Sequence, residues 1–180
     1  MEKIKVEAKV ENKESDVAAI RRVYSDIISK YERSALDSSS FSYSCRGEKS
    51  GTVSYFSTAG KLTMIIHRYA EYDHYTAEDR YFLNGDALVF VYRHRISWSF
   101  ESGPEGSTKD NVTEQRSYFV NQVPIKCLEK KYVIHSRDKE KPNPDEVSNT
   151  VTDCNNAIRA LQFYRKLASY QQGNYPKCIE

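Results

Sequence analysis

The sequence predicts an α+β domain: an antiparallel β-meander of six or seven strands, with an N-terminal helix and a long C-terminal helix packed on one face. Three observations predict it. A Tyr-Phe pair occurs three times with an aliphatic residue seven positions after the Tyr: Tyr55-Phe56 with Leu62, Tyr81-Phe82 with Leu88, and Tyr118-Phe119 with Ile125. That interval lets a hairpin with a short loop set each Tyr opposite the aliphatic residue. Apolar residues alternate with polar ones from Phe41 to His135, the period of strands. Flanking this stretch, two segments repeat apolar residues at three- and four-residue steps, the period of helices.

In chain order, Ile4, Val6, Ala8 and Val10 alternate with polar residues, so residues 1–14 read as an edge strand or an arm. Val17, Ile20, Tyr24, Ile27, Ile28 and Tyr31 form the stripe of a first helix over residues 15–33. Ser15 or Asn12 is its N-cap, and the polar run from Ser34 to Ser40 ends it. The sheet then occupies 41–135, with turns at Gly47 to Gly51, Thr58 to Gly60, Asp73-His74, Asn84-Gly85 and a long segment from Glu101 to Asn111. Taking Asn84-Gly85 as a type I′ turn pairs Tyr81 with Leu88, and a turn at Asp73-His74 pairs Arg68 with Asp79 and Ile66 with Tyr81. Both registers gather Met64, Ile66, Tyr81, Leu88, Phe90 and Trp98 on a buried face. His67, Glu78, Arg80, Arg93 and Arg95 share the wet face with Ile65, Tyr69, Phe82, Val89 and Val91. After Pro142-Asn143-Pro144, the stripe Val147, Val151, Cys154, Ile158, Leu161 and Leu167 predicts a helix over 145–172, followed by a tail over 173–180.

Composition narrows the function classes. The chain has 180 residues, consistent with one domain that buries a core of its own. With 27 Lys and Arg against 25 Asp and Glu, the net charge of +2 argues against nucleic acid as the partner. A single-strand platform would need Tyr69, Phe82, Arg80, Arg93 and Arg95, and acidic residues stand among them. No run approaches a transmembrane segment, and Met1 to Asn12 lacks the apolar centre of a signal peptide. A leading Met before a charged segment is equally the start of a chain whose signal sequence has been removed. Four cysteines, Cys45, Cys127, Cys154 and Cys178, are spaced too widely for a zinc knuckle. Their even number favours an oxidising compartment, although Cys127 and Cys154 also suit apolar core positions as free thiols. Of the three pairings, Cys154 with Cys178 is disfavoured, because a helix from Cys154 to Gln171 covers roughly 25 Å and the tail from Gln171 to Cys178 could barely span back over that length.

The candidate sites lie on the expected wet face. His67 beside Arg80 and Glu78 is the arrangement of a general base next to an anion-stabilising cation. The same residues are also ordinary for a solvated sheet. Arg93 and Arg95, with Tyr69 and Phe82 nearby, form the expected binding surface for an anionic ligand or glycan. His94 in an apolar row reads as a hydrogen-bonded structural residue. No metal-ligand spacing and no cofactor motif occurs.

The segment from Tyr81 to Tyr92, with weaker copies after Tyr55 and Tyr118, resembles the strand, Asn-Gly turn and strand of uncharacterised bacterial secreted or lipoprotein-type domains. The resemblance implies an antiparallel meander with flanking helices and an extracytoplasmic location, periplasmic, cell-surface or secreted. It carries over no catalytic residue. The expected function is therefore a non-enzymatic extracytoplasmic binding module for a protein or glycan ligand, using the polar face of a sheet covered on one side. The alternatives are a hydrolase built on His67, Arg80 and Glu78, and a homodimer or structural protein associating through the outward aromatic patch.

Overall fold

The computed structural model describes the backbone of residues 2–180 and the side chains of residues 13–180. Helix α1 (Glu2–Glu32) is followed by β1 (Asp37–Cys45), β2 (Lys49–Thr58), β3 (Lys61–Glu71), β4 (Tyr75–Asn84), β5 (Ala87–Phe100), β6 (Thr108–Val120) and β7 (Val123–His135). A 3₁₀ turn (Pro144–Glu146), a two-residue strand β8 (Thr150–Val151) and helix α2 (Asn155–Ser169) complete the chain. The single sheet has eight strands in sequential order, each antiparallel to the next, where six or seven were expected.

Helix α1 follows its apolar stripe. Val17, Ile20 and Ile27 are buried. Tyr24 meets the rings of Phe82 and Phe90 edge-on at 5.0 and 5.5 Å, and Tyr31 meets Phe56 at 5.0 Å. Ser34 turns to a positive φ of 54° and Ala35 donates its amide to the Lys30 carbonyl, which closes the helix as a left-handed cap does. Three boundaries differ from the expectation. Residues 2–14, read as a strand or arm, are helical, and the polar run after Ser34 already enters β1 at Asp37. The C-terminal helix starts at Asn155 instead of 145, because β8 first pairs with β7 (Leu128 with Val151) and Thr152 donates to the Cys127 carbonyl.

The registers decide the architecture. Between β3 and β4 the turn spans Tyr72, Asp73 and His74, with Tyr72 at φ 50°, so Glu71 pairs with Tyr75, His67 with Asp79 and Arg68 with Glu78. The two-residue turn expected at Asp73-His74 is one residue short. Between β4 and β5, Asn84 closes on Ala87 around Gly85-Asp86, and a bulge at Phe82/Leu83 brings Tyr81 opposite Val91 instead of Leu88. Comparable bulges sit at Phe56/Ser57 and at Tyr118/Phe119. Each Tyr-Phe pair therefore marks an extra residue on the partner strand, a device that increases local twist.

An odd shift of register moves side chains to the other face. The consequence is a sheet buried on both sides. Val53, Tyr55, Ile65, Tyr81, Leu88, Val91 and Phe119 pack with Ala157, Ala160, Leu161 and Leu167 of α2 and with Ile179 of the tail. Met64, Ile66, Phe82, Phe90 and Tyr118 pack with Val17, Ile20 and Ile27 of α1. The two helices thus lie on opposite faces, not together on one. Tyr55 and Tyr81 enter the α2 core while Phe56 and Phe82 enter the α1 core; in the third copy the assignments are reversed. The expected outward patch is not there, since Ile65, Phe82 and Val91 are all 0% exposed.

Disulfides join Cys45 to Cys178 and Cys127 to Cys154, which leaves no free cysteine. The first binds the C-terminal tail beside β1, where Ser44 donates to the Lys177 carbonyl and Ile179 is fully buried. The second ties β7 to the residue preceding α2.

Candidate functional site

His67, Arg80 and Glu78 do not form a site. His67 points into the α2 side of the sheet, whereas Arg80 and Glu78, at even-numbered positions of β4, point to the α1 side. Glu78 accepts from the Nε atoms of both Arg68 and Arg80. Burial pushes the Glu78 carboxyl up, but the two guanidinium groups outweigh it and hold the carboxyl below its ordinary range. The expected Arg68–Asp79 pair is replaced by this Arg68–Glu78–Arg80 cluster. His67 is 0% exposed, shares a hydrogen bond of 2.8 Å between its Nε2 and the Tyr43 hydroxyl, and stacks on Tyr69 at 4.6 Å.

Burial, reinforced by the charges of Lys49 and Arg95, pushes the His67 pKa down from 6.5 to about 3. The folded imidazole therefore stays neutral where the unfolded one protonates. Because the folded pKa is the lower, this contribution is fully present above pH 6.5 and is lost progressively as pH falls toward 3. We expect about 1.2 kcal/mol of stability to be lost between pH 6 and 5, a window above the ordinary carboxylate pKa values. Urea unfolding at both pH values, with His67→Gln as the comparison, reads this. Equal slopes in the two proteins would assign the acid sensitivity elsewhere.

The polar residues that do converge lie on the α2 face. Asp79, 1% exposed, sits between Arg95 (3.1 Å) and Arg93 (3.4 Å), with the Tyr81 hydroxyl donating at 3.4 Å. The Arg93 contact has ion-pair distance but not hydrogen-bond alignment, so Arg93 Nε remains a buried donor without a hydrogen-bond acceptor. Burial disfavours the Arg95 cation, and the Asp79 charge more than offsets this, raising its pKa. One carboxylate thus serves two guanidinium groups. A unit of positive charge is left over at this point of the sheet.

That charge opens into a groove of about 420 Å³. Strand alternation builds its floor: Arg93, Arg95 and Ser97 on β5 lie opposite Gln115, Thr113 and Asn111 on β6, and Tyr75 of β4 lies opposite Ser97. Asn156 and Arg159, from the first turns of α2, form the wall. Asp153 holds this end of the helix by accepting from the Asn155 amide at 3.0 Å. The lining contains three arginines, hydroxyl and amide side chains and one Tyr, and no carboxylate. Such a set donates hydrogen bonds to an oxyanion and to the hydroxyl groups around it.

Of the expected binding residues, Arg93 and Arg95 are in this groove. Tyr69 lies outside its lining, in the cross-strand row of Ala77 and Arg95 and stacked on His67, and Phe82 is in the α1 core. Arg159, Asn156 and Gln115 were not expected at the site. Among the described residues, no group of three or more His, Cys, Asp or Glu side chains is arranged to hold a metal ion, and no helix is long and apolar enough to cross a membrane. No family model matches the chain, and neither a curated protein nor a solved structure matches it.

Proposed function

We propose that this protein is a non-enzymatic binding module that holds an acidic glycan in the groove between β4–β6 and the start of α2. One observation carries the reading: Arg93, Arg95 and Arg159 converge on a groove with no carboxylate in its lining, where buried Asp79 is already shared by Arg93 and Arg95, and Glu129, beyond Gln115, is paired with Lys131. A carboxylate on a sugar ring would take the guanidinium groups. Its hydroxyls would meet Ser97, Asn111, Thr113, Gln115 and Asn156, and its ring face would lie on Tyr75. The lining offers no His, Cys, Asp or Glu to act as general acid, base or nucleophile, which favours binding over turnover. We place the protein in an extracytoplasmic compartment, periplasmic, cell-surface or secreted. Two disulfides that use all four cysteines support that placement, because such bonds persist where the environment is oxidising. It agrees with the resemblance of the hairpin motif to secreted domains.

The test is calorimetric titration with a uronic-acid oligosaccharide, with a neutral oligosaccharide of the same length as control. We expect saturable binding of the acidic ligand that weakens with added salt, and roughly tenfold weaker binding in Arg159→Ala. Arg159 is exposed, so its removal leaves the fold intact. Equal binding of the acidic and neutral oligosaccharides, or binding of neither, would sink the proposal.

A further inference from the structure

The α1 face carries a second cavity, larger than the groove and separated from it by the whole thickness of the sheet. It measures about 570 Å³ and lies between α1 and strands β4 to β6. Its floor consists of two cross-strand rows. In one, Tyr92 stands directly between Arg80 and Arg116; in the next, Phe90 is opposite Tyr118 with ring centroids 4.9 Å apart. Ile20, Arg21, Tyr24 and Ser25 of α1 form the roof. The cavity is therefore cationic at one end and aromatic at the other.

The charge balance favours an anion. Glu78 is shared by Arg68 and Arg80, and Glu114 by Arg116 and Lys130, so two carboxylates face four cations before Arg21 is added. Neither carboxylate lines the cavity. Arg116 also lies over the Tyr92 ring at 5.1 Å and donates to the Asn149 side chain at 2.9 Å, so its position is held from three sides. At the aromatic end, Tyr24 meets Phe90 edge-on and is the most open of the three rings at 37% exposure, while Phe90 and Tyr118, each 5% exposed, present only their margins to the cavity.

We propose that this cavity is a binding site for an aromatic carboxylate, its ring against Tyr24, Phe90 and Tyr118 and its carboxylate at Arg80 and Arg116. The volume is in the range of small-ligand sites, and an apolar pocket with a few convergent polar groups is their usual form. The site is independent of the glycan groove, because none of the lining residues is shared.

The probes are 2-naphthoate, 2-naphthol, which has the same rings without the charge, and acetate, which has the charge without the rings. By calorimetry at neutral pH, 2-naphthoate is expected to bind saturably and roughly tenfold more tightly than 2-naphthol, with acetate not binding measurably. Arg80→Gln should remove that preference and Arg80→Lys restore part of it; Glu78 keeps Arg68 as a partner in both. Ser25→Trp, at an exposed position of α1, fills the cavity and should abolish binding of both naphthalenes. Arg159→Ala should leave 2-naphthoate binding unchanged. Equal affinity for 2-naphthoate and 2-naphthol, full binding by the Ser25→Trp protein, or no binding of either ring would each overturn the proposal.

Discussion

Cys45→Ala/Cys178→Ala is expected to lower the stability of the folded protein by about 5 kcal/mol, the largest effect of any change considered. The bond joins residues 133 apart, so its removal frees a long loop in the unfolded chain. By the same chain-entropy reasoning, Cys127→Ala/Cys154→Ala, which opens a separation of 27, should cost about 3.5 kcal/mol. Loss of the first bridge also has a local consequence. Apart from the bridge, the tail is held by the Ser44–Lys177 backbone hydrogen bond, the stacking of Tyr175 on Phe41, the burial of Ile179 and the Lys166 ammonium at the Glu180 carbonyl, so it should loosen and expose the Phe41 and Tyr55 end of the α2 core. Urea unfolding of the two double variants, together with hydrogen exchange at the Ser44 amide, checks this. If the 127–154 bridge proved the more important, loop closure would not be the main source of the stabilisation. Against a total stability of roughly 5–15 kcal/mol, either loss leaves the folded state little margin.

Asp79→Asn is expected to cost about 3–5 kcal/mol, because it leaves the buried Arg93 and Arg95 side chains without their counter-charge. Their side chains are only 14% and 19% exposed, so water cannot substitute fully for the lost carboxylate. The variant keeps the shape of the side chain, which separates charge from packing. Thermal and urea unfolding measure the cost. A loss below about 1 kcal/mol would mean that the two guanidinium groups reach solvent by rotating into the groove, as a surface pair would. The same variant bears on the glycan site: with Asp79 neutral, the groove gains positive charge but loses the group that fixes its arginines. Weaker binding would show that positioning matters more than charge.

Much of the fold is legible in the chain. The stripe from Val17 to Tyr31 is helical and faces the sheet, because helical spacing alone decides which side chains share a surface. The alternation from Phe41 to His135 marks strands, and the turn residues between them place the hairpins to within a residue or two. Arg93 and Arg95 are likewise readable as neighbours on one face, being two apart in a strand. What cannot be read locally is the pairing. The bulges at Phe56/Ser57, Phe82/Leu83 and Tyr118/Phe119 coincide with the Tyr-Phe pairs, but nothing in a pair shows that its partner strand carries an extra residue, and the three-residue turn at Tyr72 looks like a two-residue turn. His67, expected at the wet surface beside Arg80, is instead buried on the other side. Arg159 could not be assigned to the Arg93–Arg95 groove, since its place depends on where the Cys127–Cys154 bridge and β8 begin the helix.

The two main helical stripes, the strands between Phe41 and His135 and the alternation that gives each strand two distinct faces follow from local sequence. They are properties of neighbouring residues and of backbone geometry. Which helix buries which face, and therefore which charged residues meet, is fixed by the assembled sheet. Register is a relation between strands distant in sequence, and one inserted residue exchanges the faces of everything beyond it. The Tyr-Phe pairs illustrate both halves: their repetition is visible in the sequence, but their role, one ring for each of two cores across a bulged hairpin, exists only once the strands are paired.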